Sequence, residues 1–273
     1  MGTTFTAIER AFLVGAAILA TISVSVKFVP KPADTVMSAP ELFDQALARI
    51  DNIDTAEAEV RRWAGNNATP VATAYAIEML LRKRFYHSYS YYSVSDDWVL
   101  WLASFLRSDV AQKVEPDDIL KQPWAGCSQQ AIVAQVLLKR FGFRFATLGT
   151  SDPKHFTSIA SLNGIWYYVD SWDGVGRRRF GPISFGFLRS GLANSRFTGA
   201  YSAKWLSAIT SGHFVIKDID RLPGHHLRSF HSLTRFISKF GWVLCLLGFA
   251  AAWMLRVGLP AMKNAGVLIA AEK

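Results

Sequence analysis

A chain of 273 residues suffices for one domain of moderate size or two small ones, and a hydrophobic content of 51% can fill a sizeable core. The net charge of +9 favours anionic surfaces. No zinc-finger spacing and no phosphate-cradling glycine loop accompanies it, so lipid is the expected partner and nucleic acid is not. With only two cysteines, Cys127 and Cys245, a disulfide framework is excluded and Cys127 is expected to be a free thiol.

Residues 1–29 hold the uncharged run Ala11 to Val26, which Phe28 and Val29 extend beyond Lys27. A lysine there can snorkel to the interface, so the run approaches the roughly 20 residues of a membrane span. Ser23-Val24-Ser25 also offers a small-x-small cleavage site, which makes a cleaved signal the competing reading to an anchor. Residues 30–37, with Pro30 and Pro32, read as a linker. Ser38 with Glu41 forms a capping box that predicts a helix through Trp63, ended by Gly65-Asn66-Asn67. Thr69-Pro70 predicts a second helix through Leu81 or a little beyond.

His87 to Tyr92 is polar and tyrosine-rich. Asp96-Asp97 opens a helix whose Trp98, Trp101, Leu102 and Phe105 share a stripe and are expected in the core. Gly126 breaks the chain before Cys127, which opens the helical run Cys-Ser-Gln-Gln-Ala-Ile-Val-Ala-Gln-Val-Leu-Leu-Lys-Arg, closed by Gly142. The period then changes to that of strands, at Phe143–Leu148, His155–Ser161 and Ile165–Asp170, with a later strand at His213–Lys217. Helices followed by strands predict an α+β domain over 38–222 with an antiparallel sheet. A basic segment, 223–239, precedes a second apolar run over 240–262 that has no polar face and is expected to cross a membrane; 263–273 is a tail. Lysines and arginines near the two spans do not decide orientation. An N-terminal signal anchor usually exports the domain behind it, so the expected location is a bacterial inner membrane with the domain extracytoplasmic.

Three residues point to chemistry. Asn163-Gly164 is a strong two-residue hairpin signal. Pairing Leu162 with Ile165 and counting back puts Thr157 opposite Asp170, so His155 lies on the same face as Asp170, diagonal to it. Diagonal neighbours sit roughly 7–8 Å apart, within joint reach of an imidazole and a carboxylate; a loop one residue longer would put them on opposite faces. Cys127 at a helix N-terminus meets the positive end of the dipole, which favours thiolate. The arrangement reads as a nucleophile, Cys127, a base, His155, and its orienter, Asp170. Asp173 is a rival orienter of the opposite parity. The Cys127 amide, with Gln122 or Trp124 nearby in sequence, is an oxyanion candidate.

Gly126-Cys127 opening a helix with Ala131 one turn on and Gly142-Phe143 at its end, His155 at a strand start, and Trp166-Tyr-Tyr-Val-Asp170 resemble the core motifs of the transglutaminase-like superfamily. The close resemblance covers about 50 residues. It implies a papain-like helix-plus-sheet core, with Cys127 as nucleophile, His155 as base and Asp170 as orienter. The superfamily includes transglutaminases, proteases, amide hydrolases and members without activity, so fold and chemistry carry over better than substrate. Two positions depart from the usual pattern: Ser171 stands where proline is frequent, and Phe156 where a small residue is frequent. A second thiol-enzyme pattern, that of bacteriocin-type leader peptidases, would pair Cys127 with Gln122 and His213, but no acidic residue follows His213 at hairpin distance.

These readings converge on a membrane-anchored cysteine hydrolase or acyltransferase acting on amide bonds of a protein or peptide, hydrolysis being favoured over cross-linking. The alternative is an inactive domain of the same type that binds peptide or a membrane-protein partner within an envelope assembly. No cofactor and no metal is expected, because no calcium-loop pattern of clustered carboxylates occurs.

Overall fold

Asn163 and Gly164 take φ of +52° and +81°, the left-handed backbone that a two-residue hairpin turn demands at both central positions. The computed structural model describes residues 5–29, 43–152, 154–171, 181–191 and 202–271, with side chains as far as Val257. The turn joins β2 (Lys154–Leu162) to β3 (Ile165–Val169), pairing Leu162 with Ile165 and Ser158 with Val169. On the other side of β2 lies β1 (Arg144–Ser151), with Thr150 opposite His155. β4 (Ile183–Ser184) and β5 (Val215–Lys217) complete an antiparallel sheet of order β4-β3-β2-β1-β5. The fold class is therefore α+β, as the strand periodicity indicates.

Period-two alternation gives this sheet two apolar faces. Phe145, Ala160, Leu162 and Val169 join one core with Ile77, Leu80 and Leu81 of α3 (Pro70–Arg84), and with Leu137 and Leu138 of α6 (Cys127–Arg140). α2 (Ile53–Ala64) packs into the same core through Ala56 and Val60. Ala146, Leu148, Ile159 and Tyr168 face the other way, onto Leu188 of α7 (Phe185–Arg189) and Trp205, Leu206 and Ile209 of α8 (Ala203–Thr210). Each fully buried aliphatic side chain contributes roughly 1.5–3 kcal/mol.

The capping signals locate some helix starts and miss one. Thr69 caps α3 through the Ala72 amide at 3.2 Å, with Pro70 in the first turn, and the helix runs to Arg84, past Leu81. The helix expected from Ser38 differs: residues 30–42, including the linker, lie outside the described residues, and from Asp44 the chain makes a short 3-10 turn, Gln45–Arg49. Ile50 is extended, and Asn52 caps a fresh start by accepting from the Thr55 amide at 2.9 Å. The side chain of Asn52 competes for helical amides and resets the helix there.

The chain divides into two units, one comprising Asp34–Tyr91 and Gln112–Arg228, the other Met1–Ala33, Tyr92–Ala111 and Ser229–Lys273. The segment 92–111 thus groups with the two apolar helices. Those helices, α1 (Ala7–Ser25) and α9 (His225–Ala271), run antiparallel: Ser23 Oγ donates to the Ser238 carbonyl at 2.9 Å, and Arg256 pairs with the buried Glu9 at 3.2 Å. Ala7–Phe28 and His225–Val257 are each long and apolar enough to cross a membrane. Their close approach depends on small residues. A Cβ at Gly248 would lie 2.6 Å from the Phe12 ring, and one at Gly15 would meet the Cys245 sulfur at 3.6 Å.

Within the same unit, Asp97 caps the short α4 (Trp98–Ala103) through the Leu100 amide at 3.1 Å and accepts from Thr234 and Ser238 of α9. The aromatic stripe expected in the core is not there. Leu100 is buried with Tyr92 and Ala111, while Trp101, Leu102 and Phe105 are 38%, 49% and 70% exposed. A helix of six residues presents too little face for one partner to cover the stripe, and Phe105 lies beyond its end.

Gly248→Leu is expected to push α1 and α9 apart and to destabilise their unit by on the order of 2 kcal/mol, the usual cost of overpacking. A lowered thermal unfolding midpoint with Gly248→Leu, and an unchanged one with Leu247→Ala on the exposed side, is the expected readout.

Candidate active site

The hairpin register brings the expected pair together. His155 Nε2 lies 2.9 Å from Asp170 Oδ2, and both side chains are 4% exposed. Thr157 Oγ1 donates to the Val169 carbonyl at 2.9 Å, extending the pairing to the end of β3 where Asp170 follows. Asp170 Oδ2 also accepts from the Tyr168 hydroxyl at 2.6 Å. Tyr168 is two residues before Asp170 and therefore on its face, a relation present in the motif Trp166-Tyr-Tyr-Val-Asp170 that the sequence reading did not use. Trp205 of α8 stacks at a tilt on Tyr168, ring centres 5.0 Å apart, and edge-on to His155 at 6.4 Å. The carboxylate is thereby dry, oriented and shared between two donors.

Cys127 is the first residue of α6, with Gly126 as N-cap. Its thiol feels the His155 charge and the Phe156 backbone amide, both of which favour the thiolate. Nε2 of His155 is taken by Asp170, which leaves Nδ1 as the nitrogen open to proton exchange. Tyr89 closes the other side, its hydroxyl 3.5 Å from Cys127 Sγ. Gly126 permits this approach: a Cβ there would sit 2.6 Å from the Tyr89 ring.

Three glutamines of α6 hold the helix start in place. Gln129 Oε1 accepts from the Gly126 amide at 3.1 Å and the Ser90 amide at 2.9 Å, while its Nε2 donates to the Ser90 carbonyl at 2.7 Å and the Lys113 carbonyl at 3.0 Å. Gln130 accepts from Ser171 Oγ at 2.6 Å, so the residue after Asp170 is tied to α6. This gives Ser171, in the place where proline is frequent, a structural task. Gln135 donates to Thr147 Oγ1 at 3.1 Å and Ser158 Oγ at 3.2 Å, fastening the helix to β1 and β2.

The segment leading to Cys127 is held from behind by Arg84. Its buried guanidinium donates to the carbonyls of Ile50 at 2.9 Å, Gln122 at 3.0 Å and Leu120. The Tyr86 amide donates to the Pro123 carbonyl at 2.8 Å and the Ala125 amide to the Tyr86 carbonyl at 3.0 Å, so Trp124 bridges to Tyr86. The contacts of Gln122 and Trp124 thus belong to this clip. Asp173 lies outside the described residues. His213 is exposed and turned to Ser211 Oγ at 3.1 Å, away from any role beside Cys127.

The electrostatics fit a charge-separated pair. Burial opposes the imidazolium, but the Asp170 charge, its hydrogen bond and Cys127 raise His155 to about 10. Burial likewise opposes the thiolate, and the influence of His155, the Tyr89 hydroxyl and the Phe156 amide outweighs it, lowering Cys127 from its ordinary value. The two shifts together favour the thiolate–imidazolium form over the neutral pair. Tyr89 is pushed up to about 12, first by burial and then by the thiolate, so it remains a hydroxyl donor. His87, a residue the sequence reading did not single out, is lowered to about 4 by burial, against the attraction of Asp170 and with the repulsion of His155. It is therefore neutral at neutral pH. Among the described residues no cluster of three or more His, Cys, Asp or Glu is arranged to hold a metal ion.

No protein-family model, characterised protein or solved structure matches the chain.

Tyr89→Phe removes one donor to the thiolate and leaves the ring that packs on Gly126. A hydrogen bond to a charged group contributes about 1.5 kcal/mol or more, so iodoacetamide labelling of Cys127 near neutral pH is expected to slow about tenfold, with its pH profile moved upward. Arg84→Met leaves three buried carbonyls without their donor and is expected to destabilise the sheet unit by on the order of 3 kcal/mol in a urea titration.

Proposed function

We propose that the chain is a membrane-anchored thiol enzyme of transglutaminase-like type, acting on an amide bond of a protein or peptide through a thioester on Cys127. The observation that carries the reading is the buried His155–Asp170 pair, 2.9 Å apart, together with a thiol at the N-terminus of α6, in a setting that lowers the thiol and raises the imidazole. The two apolar helices supply the anchor.

In the first half-reaction the Cys127 thiolate attacks the amide carbonyl carbon, forming a C–S bond while the carbonyl electrons move to oxygen. The first amides of a helix have no intrahelical partner, and those at the start of α6 face the developing oxyanion. Collapse of the tetrahedral centre breaks the C–N bond, and the His155 proton goes to the departing nitrogen. In the second half water or an amine attacks the thioester; His155 takes its proton, and the C–S bond breaks to restore the thiolate. Asp170 keeps Nε2 protonated and leaves Nδ1 to carry the exchanged proton, and the Tyr168 hydroxyl keeps Asp170 from turning away. Hydrolysis is proposed over cross-linking as the fate of the thioester.

The test uses the full chain in detergent with dimethylcasein and monodansylcadaverine, quenched in acid. The expected result is an acid-stable mass adduct on Cys127 that hydroxylamine removes, with ammonia or new amino termini released in excess over amine incorporation; Cys127→Ala abolishes all of these. A thiol that alkylates rapidly yet forms no adduct would instead favour the inactive, peptide-holding alternative.

A further inference from the structure

We propose that Trp101, Leu102, Phe105 and Leu106 form an apolar wedge seated in the lipid leaflet at the Ser23–Ser238 end of the α1–α9 pair. The proposal rests on the reading that this pair spans a bilayer. The two polar ties between the helices mark the slab. Ser238 and Arg256 are 18 positions apart on α9, about 27 Å of helix, close to the ~30 Å hydrocarbon thickness of a bilayer. Lys27 and Lys239, both exposed, lie just beyond or beside Ser23 and Ser238, where they meet anionic headgroups.

The wedge is fixed at that level. Trp98 Nε1 donates to the Ser238 carbonyl at 3.2 Å, the Val99 amide donates to Ser238 Oγ at 3.2 Å, and Asp97 binds Thr234 and Ser238. Beyond this attachment the run from Trp98 to Leu106 carries no charge, and Leu106 is 89% exposed. Water alone would make such a run costly; lipid also forbids unsatisfied backbone donors. The segment meets that condition. Ser104 Oγ donates to the Trp101 carbonyl at 2.6 Å, and the amides of Ser104, Phe105, Leu106 and Arg107 all bond to carbonyls of residues 100–103. Trp101 and Phe105 pack edge to face at 4.8 Å, the pairing of aromatic bodies found at membrane interfaces, and the exposed Arg107–Asp109 ion pair turns the chain back to water. Val24 beside Ser23, and Phe236 and Phe240 on either side of Ser238, are exposed apolar residues around the same attachment, so the apolar exposure continues onto the two helices. That continuity selects lipid over a soluble protein as the occupant.

The test places an environment-sensitive nitrobenzoxadiazole label at Leu106→Cys in the full chain carrying Cys127→Ala and Cys245→Ala, reconstituted in phosphatidylcholine–phosphatidylglycerol vesicles. Labels at Leu247→Cys and Arg61→Cys give the span and water references, and Phe105→Cys repeats the measurement at a second wedge position. Each labelled chain is required to keep the parent's helical circular dichroism. The expected result is blue-shifted emission at Leu106, quenched several-fold more than at Arg61 by lipid spin-labelled near the headgroup, with Leu247 quenched best by lipid spin-labelled deep in the chain. Quenching at Leu247 without quenching at Leu106 overturns the wedge and leaves the span reading standing. Absence at both overturns the span reading, and the wedge with it. A Leu106 label shielded from lipid spin label and from aqueous iodide alike points to a protein contact, and also overturns the wedge.

Discussion

The hydrogen bond between His155 and Asp170 depends on a turn of two residues. Both Asn163 and Gly164 adopt positive φ, and this geometry sets β2 against β3 without slippage. Any odd change in the loop would carry Asp170 to the opposite face, where Val169 now packs in the helix-side core, and leave a carboxylate buried among aliphatic residues. One register therefore satisfies the apolar packing of both sheet faces and the polar demands of the site together. Trp205 and Tyr168, which bury the pair, strengthen its charges by excluding water.

Placing Cys127 is a separate problem, solved by α6. Its glutamines are buried polar groups in a helix that otherwise packs Ile132, Val133, Leu137 and Leu138 into the core. Each finds partners on a different element: Gln129 on the loop at Ser90, Gln130 on Ser171 beyond β3, Gln135 on β1 and β2. Buried polar contacts made to three different elements tie the helix to one arrangement. Arg84 acts similarly for the approach to Cys127, holding three carbonyls from two separate segments. The thiol is consequently set on rigid elements rather than on a loop, which a nucleophile needs if its hydrogen bonds are to shift its acidity.

Much of this was legible in residue types and spacing. The hairpin dipeptide, the alternation on β2 and β3, and the Gly126 break before Cys127 led to the pairing and to the helix start. Residues that reach the site by tertiary contact were not legible. Tyr89 and His87 lie in a stretch that reads only as polar and aromatic, and Trp205 belongs to a helix after a region with no strong period. The stripe from Trp98 to Phe105 misled because helical spacing tells which residues share a face but not what covers that face; here six residues of helix attached to α9 leave it open. Equally, a basic triplet such as Arg82-Lys83-Arg84 gives no sign that its last member is buried among carbonyls.

The central claim is that His155 and Tyr89 favour the thiolate form of Cys127. The ultraviolet absorbance of the thiolate, taken as the difference between the wild-type chain and Cys127→Ser across pH, reads this directly. The account predicts a thiolate band already present at pH 7, lost only on acidification and shifted upward in His155→Ala. A band that rises only near the ordinary thiol value of about 8.5, with or without His155, would contradict it.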